Sequence, residues 1–225
     1  MKEQIQEIFK SKDLKEISIE LVEKVLDDQI TDEIVKELPI LKSIVAVKNV
    51  YNSYTDRIFI KKAMNVLLEL GDLNEDEKNT LLDDLDDEDE SSVEKILMAI
   101  DKLENIKKCK VFGRLCKLKA KGEFYSDYFL RLTNLIQTAY IDDLQLIKEF
   151  RLNERKEIFE EEYYPLINLG LIFQERSEQT PIERNHQYEE YDPEFKGGEI
   201  KFYYRLTDIG EYLYNYYNQL FPEDL

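Results

Sequence analysis

Two short stretches decide how the C-terminal part of this chain is read: Leu166–Ile172, LINLGLI, and Tyr204–Leu213, YRLTDIGEYL. The first ends an apolar segment at Gly170. Glycine closes helices because it enters the left-handed region with no Cβ to clash. Leu171, Ile172 and Phe173 then have the branched and aromatic character of a strand. In the second stretch a returning strand, Ile200–Leu206, gives way to Thr207-Asp208, a helix N-cap. The helix that follows carries Ile209, Leu213, Tyr216 and Leu220. Between the strands lies a polar loop, Glu175–Gly198, with Pro181, Pro193 and the pair Gly197-Gly198. Upstream, Asp142–Phe150 reads as one helix and Asn153–Leu169 as a second, with Asn153 as its cap.

Helix, helix, strand, loop, strand, helix is the order of a winged helix. The two stretches resemble the LxxLGLI … YxLTxxGxxL wording of many winged-helix proteins. The resemblance covers residues 141–225 and implies that 153–169 is the recognition helix and 175–198 the wing. The competing reading is a helical bundle with an appended β-hairpin.

Working back toward the N-terminus, residues 1–140 read as helix after helix. Leu14, Ile17, Leu21, Val22, Val25 and Leu26 recur mostly at spacings of three and four, one stripe of an amphipathic helix. Asp56 is a cap for a helix over Arg57–Leu70, and Gly71 stops it. Asn74 starts a charged helix, Ser91-Ser92 cap Val93–Leu103, and a further helix runs from Asn105 to Ala120. Gly113 argues against an unbroken helix there, and Gly122 ends it. Ser126-Asp127 opens the next. The expected fold is therefore mainly α: a helical bundle over 1–140, then a winged-helix-like α+β region with a β-hairpin over 141–225.

Charge narrows the function. The chain has 225 residues and a formal net charge of -18. From Ile141 to Leu225 there are 9 Lys+Arg against 20 Asp+Glu. A recognition helix in the major groove lies between two rows of phosphates. Here Arg155 and Lys156 are outnumbered by Glu154, Glu157, Glu160, Glu161 and Glu162, so duplex DNA is an unfavourable partner. A protein partner with a basic surface is the better expectation. Ten of the 15 tyrosines lie in Tyr163–Tyr217, and tyrosine is enriched at interfaces. Tyr203 and Tyr216 suit a small core, whereas Tyr188 and Tyr191, in the loop, suit contact with a partner.

Two blocks polarise the rest. Glu75–Glu90 carries ten carboxylates, among them Asp83, Asp86 and Asp87, opposed by Lys78 alone. It lacks the central glycine of a calcium loop. A solvated connector or an acidic docking surface fits better. Asn105–Gly122 carries seven cations and no carboxylate: Lys107, Lys108, Lys110, Arg114, Lys117, Lys119 and Lys121. This basic amphipathic helix either docks on the acidic block or binds an anion.

Chemistry is sparsely represented. Cys109 and Cys116 stand seven residues apart on one helix, about 10 Å, too far for a disulfide. They read as buried thiols. The single histidine, His186, falls in a polar loop. GxGxxG, GxxxxGK[ST], GxSxG, HExxH and CxxC are all missing, so neither an enzyme nor a cofactor or metal is expected. No run of apolar residues is long enough to span a bilayer, and the first residues have no secretory pattern, which leaves a cytoplasmic expectation.

Two further stretches carry a second resemblance. LPILKSIVAVKNVYNSYTDRIFIKKAMNVLLEL, Leu38–Leu70, is similar to the apolar helix, D-R-x-F-x-K-K turn and following helix of a family of small uncharacterised bacterial and prophage proteins. KKCKVFGRLCKLKAKGEFYSDYFLRL, Lys107–Leu132, resembles a later segment of that family, and Leu206–Gly210 completes the order. The resemblance brings no catalytic residues. It implies an accessory or abortive-infection-like role in phage defence or counter-defence, with Asp56, Arg57, Lys61 and Lys62 as motif residues. The function expected is a non-enzymatic protein-interaction module. The alternatives are a winged-helix transcriptional regulator and an acidic DNA mimic that inhibits a DNA-binding protein.

Overall fold

The computed structural model describes residues 54–83, 85, 92–152, 154–157, 161–176 and 202–222. Among them the chain is mainly helical, with a two-stranded antiparallel sheet. In chain order the elements are α1 (Tyr54–Glu69), α2 (Glu75–Asp83), α3 (Ser92–Lys102), α4 (Ile106–Ala120), α5 (Ser126–Thr138), α6 (Ile141–Gln145), a 3-10 turn (Leu146–Glu149), a second 3-10 turn (Glu161–Tyr163), α7 (Tyr164–Asn168), β1 (Ile172–Arg176), β2 (Phe202–Leu206), α8 (Asp208–Asn215) and α9 (Tyr217–Leu220). The described residues belong to two compact units, 54–141 with 216–222, and 142–215. The helices expected before residue 54 lie outside the described residues.

In the first unit the boundaries follow local chemistry. Asn74 and Glu77 form a reciprocal capping box at the start of α2: each backbone N–H donates to the other's side chain at 2.9 Å. The Ser92 hydroxyl donates to the carbonyl of Leu82, tying the start of α3 to α2. Asn105 caps α4 by accepting from the Lys108 N–H at 2.9 Å. Gly122, at φ +77°, turns the chain out of it. Helix α1 begins at Tyr54, so Asp56, expected as its cap, sits inside the first turn.

Helix α4 is the centre of this unit, packing on α1, α2, α5 and α9. Cys109, Val111, Phe112, Leu115 and Cys116 are completely buried along it. Helix α4 runs unbroken through Gly113. A Cβ there would stand 2.8 Å from Cβ of Glu69 and 3.0 Å from the carbonyl oxygen of Val66. Glycine costs a helix about 1 kcal/mol of propensity, and here it lets α1 approach α4 closely.

The second unit gathers Leu144, Ile147, Phe150, Tyr163, Leu166, Leu171, Ile172, Leu206 and Leu213 into one small core. Strand β1 pairs with β2 from Ile172↔Leu206 to Arg176↔Phe202, as the hairpin reading requires. The expected helix over 153–169 is not continuous: among the described residues, 154–157 are not helical. Lys156 exchanges backbone hydrogen bonds with Tyr204, at 3.1 and 3.0 Å, in an isolated antiparallel bridge. That pairing needs extended backbone and claims amide groups a helix would have used internally. Among the described residues that follow, 161–168 are helical, and Gly170 at φ +70° turns the chain after them.

Candidate functional site

Arg151, Arg155 and Lys156 of the second unit pair with carboxylates of that same unit. Arg155 pairs with Glu175, with Nε 3.0 Å from Oε2, and its guanidinium lies 5.9 Å from the Tyr203 ring. Arg151 pairs with Glu154 at 3.7 Å. Lys156 enters a tighter group. Its ammonium sits 4.6 Å from the Tyr163 ring centre and 5.3 Å from that of Phe150, within cation–π range. Its Nζ also donates to the Tyr163 hydroxyl at 3.1 Å and stands 3.7 Å from the Glu149 carboxylate. The Tyr163 hydroxyl in turn donates to Glu149. The rings of Phe150 and Tyr163 meet edge to face at 5.5 Å.

That group is a clamp. The hydrogen bond to Glu149, then burial, push the Tyr163 phenol well above its usual range, so it stays protonated. A general base at neutral pH would need the opposite shift. What the group does is hold 149–150, 156 and 163 together, around the bridge that interrupts the expected helix. Sequence reading passed over it: Glu149, Lys156 and Tyr163 stand seven residues apart, a helical spacing, yet the backbone bridge at Lys156 breaks any single helix through them. Glu157 and Glu161, expected to face a partner from one helix, are both exposed, on an extended segment and a 3-10 turn respectively. Glu160, Tyr188 and Tyr191 lie outside the described residues.

In the first unit the cations of α4 divide into two sets. Lys108 is 2% exposed, and its ammonium reaches the carbonyl of Gln137 at 2.9 Å and the Glu104 carboxylate at 3.0 Å. Lys119, also 2% exposed, donates to the carbonyl of Phe124 at 3.0 Å. Arg114 binds Glu69 at 3.2 Å and the carbonyl of Leu220 at 3.3 Å. Lys117 meets Asp72 at 2.7 Å. Burial works against the Asp72 charge, but Lys117 and Lys121 outweigh it and hold the carboxyl below its ordinary range. Helix α4 is thus not a basic amphipathic helix lying on a surface. Its long lysine stems carry charge out of a buried helix to carbonyls at the ends of its neighbours. Lys107 and Lys110 differ: Lys107 is exposed, Lys110 half-buried, and neither makes an ion pair among the described residues.

Asp83 is exposed at the end of α2, while Asp86 and Asp87 lie outside the described residues. Asp56 and Arg57 belong to the first turns of α1, and Lys61 and Lys62 follow, both half-buried. Lys62 donates to the carbonyl of Asp101 at 3.1 Å. Cys109 and Cys116 are free, buried thiols. Burial raises both, Cys109 to about 11 against the opposing pull of Lys62, which makes neither a nucleophile at neutral pH. His186 lies outside the described residues. Among the described residues no group of His, Cys, Asp and Glu could hold a metal ion, and no helix is long and apolar enough to cross a membrane. No family model, curated protein or solved structure matches the chain.

Proposed function

We propose that this chain acts without catalysis, as a cytoplasmic protein-binding component whose 142–215 unit, winged-helix-like in element order, meets a basic surface on a partner protein. The observation that carries this reading is the pairing of Arg155 and Lys156 within their own unit. These are the cations a DNA-reading helix would have offered to phosphate, and each is committed to a carboxylate and an aromatic ring of its own unit. Glu154, Glu157, Glu161 and Glu162 remain on the surface beside them. Such a surface repels a phosphate backbone and attracts lysine and arginine. The resemblance to prophage and abortive-infection-like proteins suggests phage defence or counter-defence as the setting.

A duplex titration tests the reading against its main rival. Fluorescence anisotropy with mixed-sequence duplex at about 50 mM salt is expected to show no saturable binding. An affinity that falls steeply as salt rises would instead favour the transcriptional regulator.

A further inference from the structure

We infer that the outer face of the β1–β2 hairpin binds an acidic side chain of a partner peptide, with Arg205 holding the carboxylate and Phe173 meeting the apolar residue beside it. The strand register places these groups together. Directly opposite residues of an antiparallel pair share a face, and successive residues alternate. Ile172↔Leu206, both buried, lie on the core face. The next pair, Phe173↔Arg205, therefore lies on the other face, with Glu175↔Tyr203 beyond it. The bridge Lys156↔Tyr204 adds a third segment on the far side of β2. Lys156 turns to the core face, toward Phe150 and Tyr163, so Arg155 turns to the outer one. Its guanidinium stands there, 5.9 Å from the Tyr203 ring and paired with Glu175. Arg155, Phe173, Glu175, Tyr203 and Arg205 thus form one patch.

The charges of this patch do not balance within it. Arg155 takes both oxygens of Glu175, Oε2 with Nε at 3.0 Å and Oε1 with Nη2 at 3.2 Å. Among the described residues Arg205, half-buried, makes no ion pair, side-chain hydrogen bond or cation–π contact. Glu157, which follows the bridge on the outer face, and Asp208, which opens α8, make no ion pair with it either. Phe173, directly opposite Arg205, is 42% exposed and meets no other ring. The Cβ atoms of such a pair stand about 5 Å apart, so neighbouring groups of one ligand reach both. The arginine fork matches a carboxylate with two parallel N–H bonds, and the exposed ring takes apolar surface. An inorganic anion would leave Phe173 unused. A nucleic-acid strand would bring many phosphates to a region, Ile141–Leu225, with 9 Lys+Arg against 20 Asp+Glu. A single carboxylate responds instead to the guanidinium it touches. The surface proposed above takes basic groups and this face takes an acidic one, so neither reading depends on the other.

The probe is a capped peptide, Gly-Ser-Leu-Glu-Leu-Ser-Gly, titrated into the full chain and followed by backbone amide NMR. It carries no cation, so its binding does not draw on the acidic surface. Amides of 172–176 and 202–206 are expected to shift saturably at millimolar concentrations. Replacing the peptide's glutamate by glutamine is expected to weaken binding about tenfold, as are Arg205→Gln and Phe173→Ser. Arg205→Lys is expected to recover only part of the loss, because an ammonium lacks the fork. Lys148→Gln, an exposed lysine of the same unit, is expected to leave binding unchanged. Unchanged amide spectra away from the hairpin confirm that the variants fold. Absence of a saturable shift would overturn the proposal. So would equal binding of the glutamine peptide, or equal binding by Arg205→Gln. A single-stranded oligothymidine that shifts the same amides at lower concentration would also overturn it, by showing that the face takes nucleic acid.

Discussion

The hydroxyl of Thr207 donates to the carbonyl oxygen of Gly170 at 2.6 Å, joining the end of α7 to the start of α8 across 37 residues. The Thr207 hydroxyl oxygen also lies 3.2 Å from the Leu171 carbonyl oxygen and accepts the Gly210 N–H at 3.2 Å, while the Thr207 N–H donates to the Leu171 carbonyl at 3.0 Å. Leu-Gly-Leu and Leu-Thr-x-x-Gly are thus two halves of one joint. Threonine caps α8 and staples it to the turn before β1, and glycine lets the helix lie on that turn.

Thr207→Val keeps the shape and removes the hydroxyl. It is expected to lower stability by about 1–2 kcal/mol, read by denaturant unfolding. Thr207→Ser should retain most of the difference, because the oxygen remains.

Gly210→Ala is expected to be more damaging. The added Cβ would stand 2.0 Å from the carbonyl oxygen of Leu171, backbone that cannot swing aside. A loss of about 3 kcal/mol or more is expected. Gly122→Ala meets open space and suffers only from its φ of +77°, so about 1 kcal/mol is expected there. Thermal unfolding of the two variants side by side checks the order.

Lys108→Met preserves the buried stem and deletes the ammonium that bonds Gln137 and Glu104. Unfolding should become easier by about 1–3 kcal/mol. Lys107→Met, one residue earlier and exposed, should change stability by no more than about 0.5 kcal/mol. Equal effects would contradict the division of the α4 cations.

Burial pushes the Cys109 thiol up to about 11 from an ordinary value of 9.0. The folded state therefore holds its proton where the unfolded state has begun to lose it. The stability this contributes is complete below pH 9.0 and is lost as pH rises through about 11. A thiol reagent at pH 8 should label neither Cys109 nor Cys116 until the chain is unfolded, and Cys109→Ser should flatten the alkaline loss of stability.

Much of the local structure was readable because it rests on short-range chemistry. Asn74, Asn105, Gly122, Gly170 and Thr207 are caps and turns whose partners lie within a few residues, or whose backbone demands are intrinsic. What could not be read depends on distant partners. Lys156 is extended because Tyr204, far along the chain, bonds its backbone. Its neighbours Glu154, Arg155 and Glu157 looked helical by composition alone. Gly113 looked like a weak point because its reason is Glu69 on another helix. The lysines of α4 looked like a solvated face. Only the tertiary structure shows that Lys108 and Lys119 are buried.

The central claim is that the 142–215 unit meets a basic protein surface. The most direct measurement is affinity capture from a lysate of the organism that encodes the chain, comparing wild type with Glu157→Lys/Glu161→Lys. Any captured partner is then titrated with both proteins across a range of salt. The account predicts a partner bound by wild type with an affinity that falls as salt rises, and bound much more weakly by the reversed variant. A partner bound equally by both, or capture of DNA in place of protein, would contradict it.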